Sequence, residues 1–152
     1  MSYGEEVGCI GAPFMAAEMA RLMPKASAAI IGEPSMMKAV SGHKGGLGIK
    51  THVRGYEVHS SLQHIGVSAI HEAAKLIEWA NEMNIENESL KRSDATSMFT
   101  PPWTTVHVGT IEGGTANNIT AKDCHFVMGF RVIPGENALT WKHRCEKKVR
   151  EV

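Results

Sequence analysis

The stretch Gly55-Tyr56-Glu57-Val58-His59-Ser60-Ser61 joins an extended segment to an amphipathic helix, and the rest of the chain is arranged around this junction. It places His59 at the junction, next to two small hydroxyl residues. A histidine in such a position is either a surface or capping residue, or a group that handles protons and donates to an oxyanion. The stretch alone does not decide between these two interpretations.

An alternating segment precedes the junction and a helical pattern follows it. From Leu47 to Arg54, apolar or small residues alternate with Gly48, a lysine, a histidine and an arginine, which predicts a strand with one buried face. From Gly66 to Met83, apolar residues recur every three or four positions, which predicts a helix. The residues of this stripe are Val67, Ile70, Ala73, Ala74, Ile77 and Ala80. Residues 86–102 are polar and end in Pro-Pro, which indicates a loop.

Two further strands and a last helix complete the pattern. Thr105–Ile111 and Cys124–Ile133 alternate as strands, and Asn137 is placed to cap a helix that runs to the end of the chain. The order strand, helix, strand, strand, helix predicts an α+β fold. It is a ferredoxin-like layer of antiparallel strands with two helices on one face and its last strand missing.

The first part of the chain has a different character. Pro13–Met23 reads as a helix, and Ala26–Ile31 is a wholly apolar run that predicts a strand buried on both faces. The glycine-rich segment Gly42–Gly48 lacks the Lys-Ser/Thr ending of a phosphate-binding loop, so we interpret it as a hinge. We therefore expect residues 1–42 to be a fragment of an α/β domain and residues 43–152 to be a second, C-terminally truncated domain.

The composition excludes several classes of protein. Lys+Arg and Asp+Glu both number 16, so a net charge of zero argues against nucleic acid or an acidic membrane as partner. The 3 cysteines form no C-x-x-C pair, which argues against a disulfide framework and favours a reducing compartment. Neither a signal peptide nor an apolar run of membrane-spanning length is evident, so we expect a cytoplasmic protein.

Five residues besides His59 are candidates for chemistry. Glu5 and Glu6 are adjacent carboxylates near a turn, and Glu33 follows the apolar run of the first part. They are either a solvated acidic surface, or a base beside ligands for a metal ion. Arg131 lies on the face of its strand away from the core, where it is an exposed residue or a fork for a substrate carboxylate. Asn118 is a turn residue or an amide donor, and we expect it to share one substrate-facing surface with His59 and Arg131.

Five motifs in the chain resemble the M20 metallopeptidase and deacylase family in order and spacing. They are E-E-V-G-C-I-G-A-P (5–13), I-I-G-E-P-S-M-M-K-A-V-S-G-H-K-G (30–45), V-R-G-Y-E-V-H-S-S (53–61), T-T-V-H-V-G-T-I-E-G-G-T-A-N-N-I (104–119) and F-R-V-I-P-G (130–135). Each motif is weak alone, but together they cover most of the chain. Enzymes of the family have a catalytic α/β domain with one or two zinc ions and an inserted ferredoxin-like lid that dimerises.

The resemblance implies a role for each candidate residue. Glu5 matches the general base, whereas Glu6 and Glu33 match ligands of zinc or cobalt. His59 matches the histidine that a lid presents to the active site of the partner subunit in a homodimer. Asn118 and Arg131 match lid residues that hold the substrate carboxylate. The implied reaction is the metal-assisted hydrolysis of an N-acyl amino acid.

The sequence also departs from the family pattern. Gly4, Ser68 and Ala121 stand where the family usually has Asp, Asn and Pro. The segments that carry the H-x-D zinc ligands and the C-terminal zinc histidine are not found. We therefore expect this chain to be an inactive fragment that binds no metal by itself. The alternative interpretation is a module that serves only for dimerisation.

Overall fold

The computed structural model describes residues 3–30, 32–91 and 93–152, which form two compact units. The first unit ends at Ala39, and the second comprises Val40–Val152. Helix α1, Ala12–Leu22, is the regular element of the first unit, and it agrees with the predicted helix to within one residue at each end. Pro13 lies in its first turn, where the missing backbone N–H costs no hydrogen bond.

The second unit contains an antiparallel sheet of three strands in the order β1-β3-β2. The strands are β1 (Gly45–Arg54), β2 (Thr105–Gly113) and β3 (Asp123–Val132). Its helices are α2 (Ala69–Ser89), the short α3 (Asp94–Ser97) and α4 (Ala138–Glu151), and a 3₁₀ segment covers Ser60–Ile65. This arrangement confirms the α+β class and the predicted order of strands and helices.

The core lies between one face of the sheet and the helices α2 and α4. Alternate residues of β3 supply its centre, as the period of two predicts: Cys124, Phe126, Met128, Phe130 and Val132 are buried. On α2 the buried positions are Ala69, Ala73, Leu76, Trp79, Ala80, Met83 and Asn87. Ala73 and Ala80 of the predicted stripe are thus buried, whereas Val67 and Ile70 are exposed.

Three sequence-based expectations were wrong. Residues 26–30 form no strand, and Ile30 is 98% exposed, since a strand needs a partner and the first unit has none among the described residues. Ile31 lies outside the described residues. The glycine-rich segment is not a hinge over its length, because β1 already begins at Gly45. The expected loop from residue 86 instead contains the end of α2 and all of α3.

Strand β2 is partly covered along its outer edge by side chains of α2. The Asn84 amide donates to the carbonyl of Val106 at 2.7 Å, and its oxygen accepts from the Val106 N–H at 2.9 Å. Asn87 donates to the carbonyl of Thr104 at 2.8 Å. After Val108 a bulge at Gly109 shifts the register with β3. The outer edge of β2 is therefore closed at its start.

No helix in the described part of the chain combines the length and apolar character required to cross a membrane.

Candidate functional site

His59 lies in extended conformation where the 3₁₀ segment begins, and it is joined to the turn that carries Asn118. It forms an isolated antiparallel bridge with Ile119. The N–H of Ser60 donates to the carbonyl of Asn118 at 2.8 Å. The structure therefore brings together two of the predicted site residues, 59 positions apart in sequence, through their backbones.

The imidazole ring of His59 is held from one side. Its Nδ1 lies 2.8 Å from the hydroxyl oxygen of Ser61, and it accepts from the Ser61 backbone N–H at 3.3 Å. The ring is exposed, and its Nε2 has no hydrogen-bond partner among residues 3–30, 32–91 and 93–152. A ring anchored at Nδ1 with a free Nε2 can offer that nitrogen to another molecule.

The buried hydroxyl of Thr120 anchors the backbone that leads into His59. Thr120 Oγ1 accepts from the N–H of Val58 at 2.8 Å and lies 2.9 Å from the carbonyl of Tyr56. The N–H of Thr120 in turn donates to the carbonyl of Val58 at 2.9 Å. Sequence reasoning missed this residue, because a single threonine beside a turn carries no periodic or motif signal.

Two glycines allow the segments around His59 to approach each other. A Cβ on Gly55 would lie 2.2 Å from the carbonyl oxygen of Val67 and 2.5 Å from that of Ala121. A Cβ on Gly66 would lie 2.3 Å from the side chain of Val58. Neither position has room for a side chain, so close backbone contact fixes the loop.

Arg131 is not part of this cluster. It lies on the open face of β3, in register with Gly46 of β1 and Thr105 of β2. The strand begins at Asp123 beside the His59 loop, so Arg131 is about 26 Å farther along it. The expectation that His59, Asn118 and Arg131 share one surface is therefore wrong for a single chain.

The guanidinium of Arg131 lies beside a glycine. A Cβ on Gly46 would come within 3.4 Å of one of its terminal nitrogens. The side chain is exposed and has no hydrogen-bond or ion-pair partner in the described part of the chain. An unpaired guanidinium of this kind is free to bind a carboxylate in bidentate geometry.

Glu5, Glu6 and Glu33 all lie exposed in the first unit. Glu5 and Glu6 occupy a turn in which the Glu5 carbonyl accepts from the N–H groups of Gly8 and Cys9, both at 3.1 Å. The carbonyl of Glu33 accepts from the N–H of Ser35 at 2.7 Å. The roles of the three carboxylates stay predictions.

The donor groups of the described residues do not complete a zinc site. None of these residues form a group of three or more His, Cys, Asp or Glu side chains that could hold a metal ion. Protein zinc sites use three or four such ligands. Glu6 and Glu33 would therefore need ligands from outside the described residues to hold zinc or cobalt.

A second polar group on the open face of the sheet was not predicted. The rings of His52 and His125 stack with their centroids 4.1 Å apart, and His52 Nε2 lies 2.7 Å from a carboxylate oxygen of Asp123. The hydrogen bond from His52 is the main cause that holds the pKa of Asp123 below its ordinary value, with smaller contributions from nearby positive charges. The alternation of β1 places His52 on this face, but no sequence signal pairs it with β3.

Residues 41–152 match the peptidase dimerisation domain of the M20 family. The chain is 38% identical over 132 residues to an acetylornithine deacetylase from Myxococcus xanthus, which covers 87% of this chain and 33% of the relative. It is 32% identical over 135 residues to a probable carboxypeptidase from Paracoccidioides lutzii, which covers 86% of this chain and 29% of the relative. The chain thus spans about a third of the length of the curated relatives it matches.

The fold is also similar to that of a solved aminopeptidase, PepT from Bacillus cereus. The TM-score is 0.59 at 23% sequence identity, over 97% of this chain and 35% of that one. At this level of identity the likeness concerns the fold alone.

Proposed function

Because this chain belongs to the M20 family, through a peptidase dimerisation domain at residues 41–152, we propose that it is the lid-bearing part of an amide hydrolase acting on N-acyl amino acids. N-acetylornithine is the favoured substrate, since a relative at 38% identity is named an acetylornithine deacetylase. Water would split the amide to give ornithine and acetate. The joining of His59 to the Asn118 turn is the observation that carries the proposal, because it brings the backbones of two exposed polar residues together.

Each residue of the lid has a separate task in this proposal. The free Nε2 of His59 donates to the oxygen that becomes negative as water attacks the amide carbon. The amide of Asn118 binds the substrate beside it, and the unpaired guanidinium of Arg131 binds a carboxylate. Zinc or cobalt would polarise the amide, but the described residues do not complete a site for the metal.

The distance between the two ends of β3 supports a two-chain active site. An ornithine-sized substrate is far shorter than the roughly 26 Å that separates Asp123 from Arg131. His59 and Arg131 of one chain therefore cannot hold the same substrate molecule. A homodimer resolves this separation if His59 and Asn118 serve the site of the partner subunit while Arg131 serves its own.

The outer edge of β2 is the proposed contact between the two copies. Asn84 and Asn87 cover its start, so backbone groups from Val108 to Gly113 are left to pair. Replacing Ile111 by Pro removes an N–H that faces outward in the register with β3, and we expect monomers in sedimentation. Ile111→Thr keeps the N–H and should stay dimeric. A wild-type monomer at high concentration would contradict the dimer.

The two-chain site is tested by mixing inactive variants of the reading frame that contains this segment and its flanking sequence. A His59→Ala chain and a Glu5→Ala chain should each be inactive with N-acetylornithine. Mixed before dimerisation, they should regain about a quarter of wild-type activity, since half of the dimers are mixed and each holds one intact site. His64→Ala is the matched control for an exposed histidine of the same loop, and it should remain active.

The result of this experiment separates the alternatives. No regained activity would show that His59 does not act across the dimer. The protein could instead hydrolyse N-succinyl-diaminopimelate, or N-acyl amino acids and dipeptides, in place of N-acetylornithine. That result would support the proposed mechanism and reject N-acetylornithine as the substrate. No hydrolysis of any of these amides by the wild-type protein would favour a module that serves only for dimerisation.

A further inference from the structure

The geometry points to Ser61 as a positioning residue that holds His59 in the tautomer with its proton on Nε2. This inference rests on the proposed function for its purpose, but it concerns a property of the ring that can be measured in this chain. Neither the sequence pattern nor the family resemblance assigned Ser61 a role.

The backbone of Ser61 supplies the directional part of the contact. An amide N–H can only donate, and the N–H of Ser61 points at Nδ1 of His59 at 3.3 Å. Nδ1 must therefore present its lone pair on this side. In a neutral imidazole one nitrogen accepts and the other carries the proton, so the proton resides on Nε2.

The hydroxyl of Ser61 adds a second, shorter contact. Its oxygen lies 2.8 Å from Nδ1, at a distance typical of a hydroxyl that donates to a ring nitrogen. The hydroxyl can rotate and could also accept from a protonated Nδ1, but the adjacent N–H excludes that arrangement for the neutral ring. The two donors of one residue thus converge on the same lone pair.

Of the two adjacent serines, Ser61 contacts the imidazole ring and Ser60 has a different role. Its N–H is engaged by the carbonyl of Asn118 at 2.8 Å, and none of its hydrogen bonds in the described residues reaches the imidazole. The carbonyl of His59 accepts from the N–H of Leu62 at 2.8 Å, which closes the turn that contains Ser61. Ser60 anchors the loop to the Asn118 turn, while Ser61 orients the ring.

The chemical consequence is a ring that presents a donor at its free nitrogen. The other tautomer would offer a lone pair at Nε2, which repels an oxyanion instead of stabilising it. A free imidazole exchanges between both tautomers, so an anchored one spends a larger part of its time in the productive form. Ser61 would act through His59 and would not itself touch the substrate.

The test is the tautomer of His59, read by two-bond proton–nitrogen NMR of this chain labelled with ¹⁵N-histidine. The spectrum of a His59→Gln variant identifies the ring signals. In the wild type with a neutral ring, we expect a pyridine-type Nδ1 and a pyrrole-type Nε2. Ser61→Ala should raise the ratio of the Nδ1–H to the Nε2–H form about fivefold, as expected for the loss of one neutral hydrogen bond.

Two variants control this experiment, and backbone amide spectra verify that each remains folded. Ser61→Thr keeps the hydroxyl and should restore the wild-type ratio, while Ser60→Ala should leave it unchanged. An unchanged ratio in Ser61→Ala, or an equal change in Ser60→Ala, would overturn the inference. A shifted ratio in a protein whose wild-type form hydrolyses none of the amides tested would leave Ser61 its role on the ring and reject the proposed function.

Discussion

The two units of the chain contain similar sequence patterns, yet among the described residues only the second unit buries its apolar side chains around a core. In the first unit, helix α1 has no buried residue, and residues 26–30, the described part of the apolar run, are exposed. In the second unit, β3 buries every alternate side chain against α2 and α4. An apolar pattern therefore becomes a packed element only where a complementary surface exists.

The same difference separates the two sets of candidate site residues. Glu5, Glu6 and Glu33 lie exposed outside helices and strands, whereas the His59 loop is tied to buried Thr120. A side chain acts with defined geometry only when the backbone that carries it is held. We therefore expect the lid residues to keep their positions in this chain, and the three carboxylates to depend on further protein around them.

The largest effect should come from removing a core ring of the second unit. Phe130 is 1% exposed and lies 5.9 Å from the ring of Trp141, so Phe130→Ala leaves a cavity and should cost about 3–5 kcal/mol of unfolding free energy. Urea denaturation followed by tryptophan fluorescence measures this loss, since the 3 tryptophans all lie in the second unit.

The matched change in the first unit is Phe14→Ala. Phe14 is 69% exposed, so this variant should alter hydrogen exchange of α1 amides by the equivalent of less than about 0.5 kcal/mol. A large loss of protection in α1 would show that its apolar face is covered, and the contrast between the two units would fail.

An intermediate effect is expected for the hydroxyl that anchors the His59 loop. Thr120→Val leaves the half-buried N–H of Val58 without its acceptor, which should cost about 1–3 kcal/mol. Thr120→Ser keeps the hydroxyl and should lose much less. Hydrogen exchange at the Val58 amide, together with urea denaturation, measures the change.

The first unit offers a comparison for this hydroxyl as well. Ser35 donates to the carbonyl of Lys38 at 2.7 Å in an exposed turn. Because water can replace that bond, Ser35→Ala should change stability by only a few tenths of a kcal/mol. Equal losses in the two variants would argue against a specially anchored loop.

The smallest effect concerns the exposed pair on the open face of the sheet. The pKa of the Asp123 carboxyl is held below its ordinary value of 3.8, so the unfolded chain binds more protons in the acid range. The resulting stability is present above that ordinary value and is lost as the pH falls through the lower native value. Asp123→Asn and His52→Asn should each reduce this acid-dependent loss slightly, because solvent screens the pair.

Urea midpoints measured from pH 6 down to pH 3, at low and high salt, are the readout for this pair. Asp94→Asn is the control, since the Asp94 side chain makes no hydrogen bond in the described residues. If the urea midpoints of Asp123→Asn and of the wild type fall equally between pH 6 and pH 3, the contact with His52 does not contribute to stability.

Periodicity predicted most of the second unit because its strands and helices have one buried face each. The alternation of β3 identified Phe126, Met128 and Phe130 correctly. Spacing alone could not fix which of two neighbouring stripes on α2 turns inward, because Leu76 and Ile77 are equally apolar. The prediction of a strand at Ala26–Ile31 was wrong for its described residues, since burial of such a run depends on partner strands that the described first unit does not contain.

The site could be predicted only residue by residue. Motifs identified His59, Asn118 and Arg131, but the separation of Arg131 from the other two follows from strand length and direction. Contacts between distant segments, such as Thr120 with Val58, leave no pattern in the sequence. Such contacts decide how a catalytic group is oriented, and they become visible only in the folded chain.

The strand order β1-β3-β2 gives each copy of the described sheet two edges at which another strand can pair, namely β1 and the open part of β2. A contact between two β2 edges follows a two-fold axis, so copies that pair through β2 alone stop at a dimer. A contact between β1 of one copy and β2 of the next does not close, and it propagates into open chains. The ratio of these contacts decides whether concentrated solutions hold discrete particles or a growing polymer.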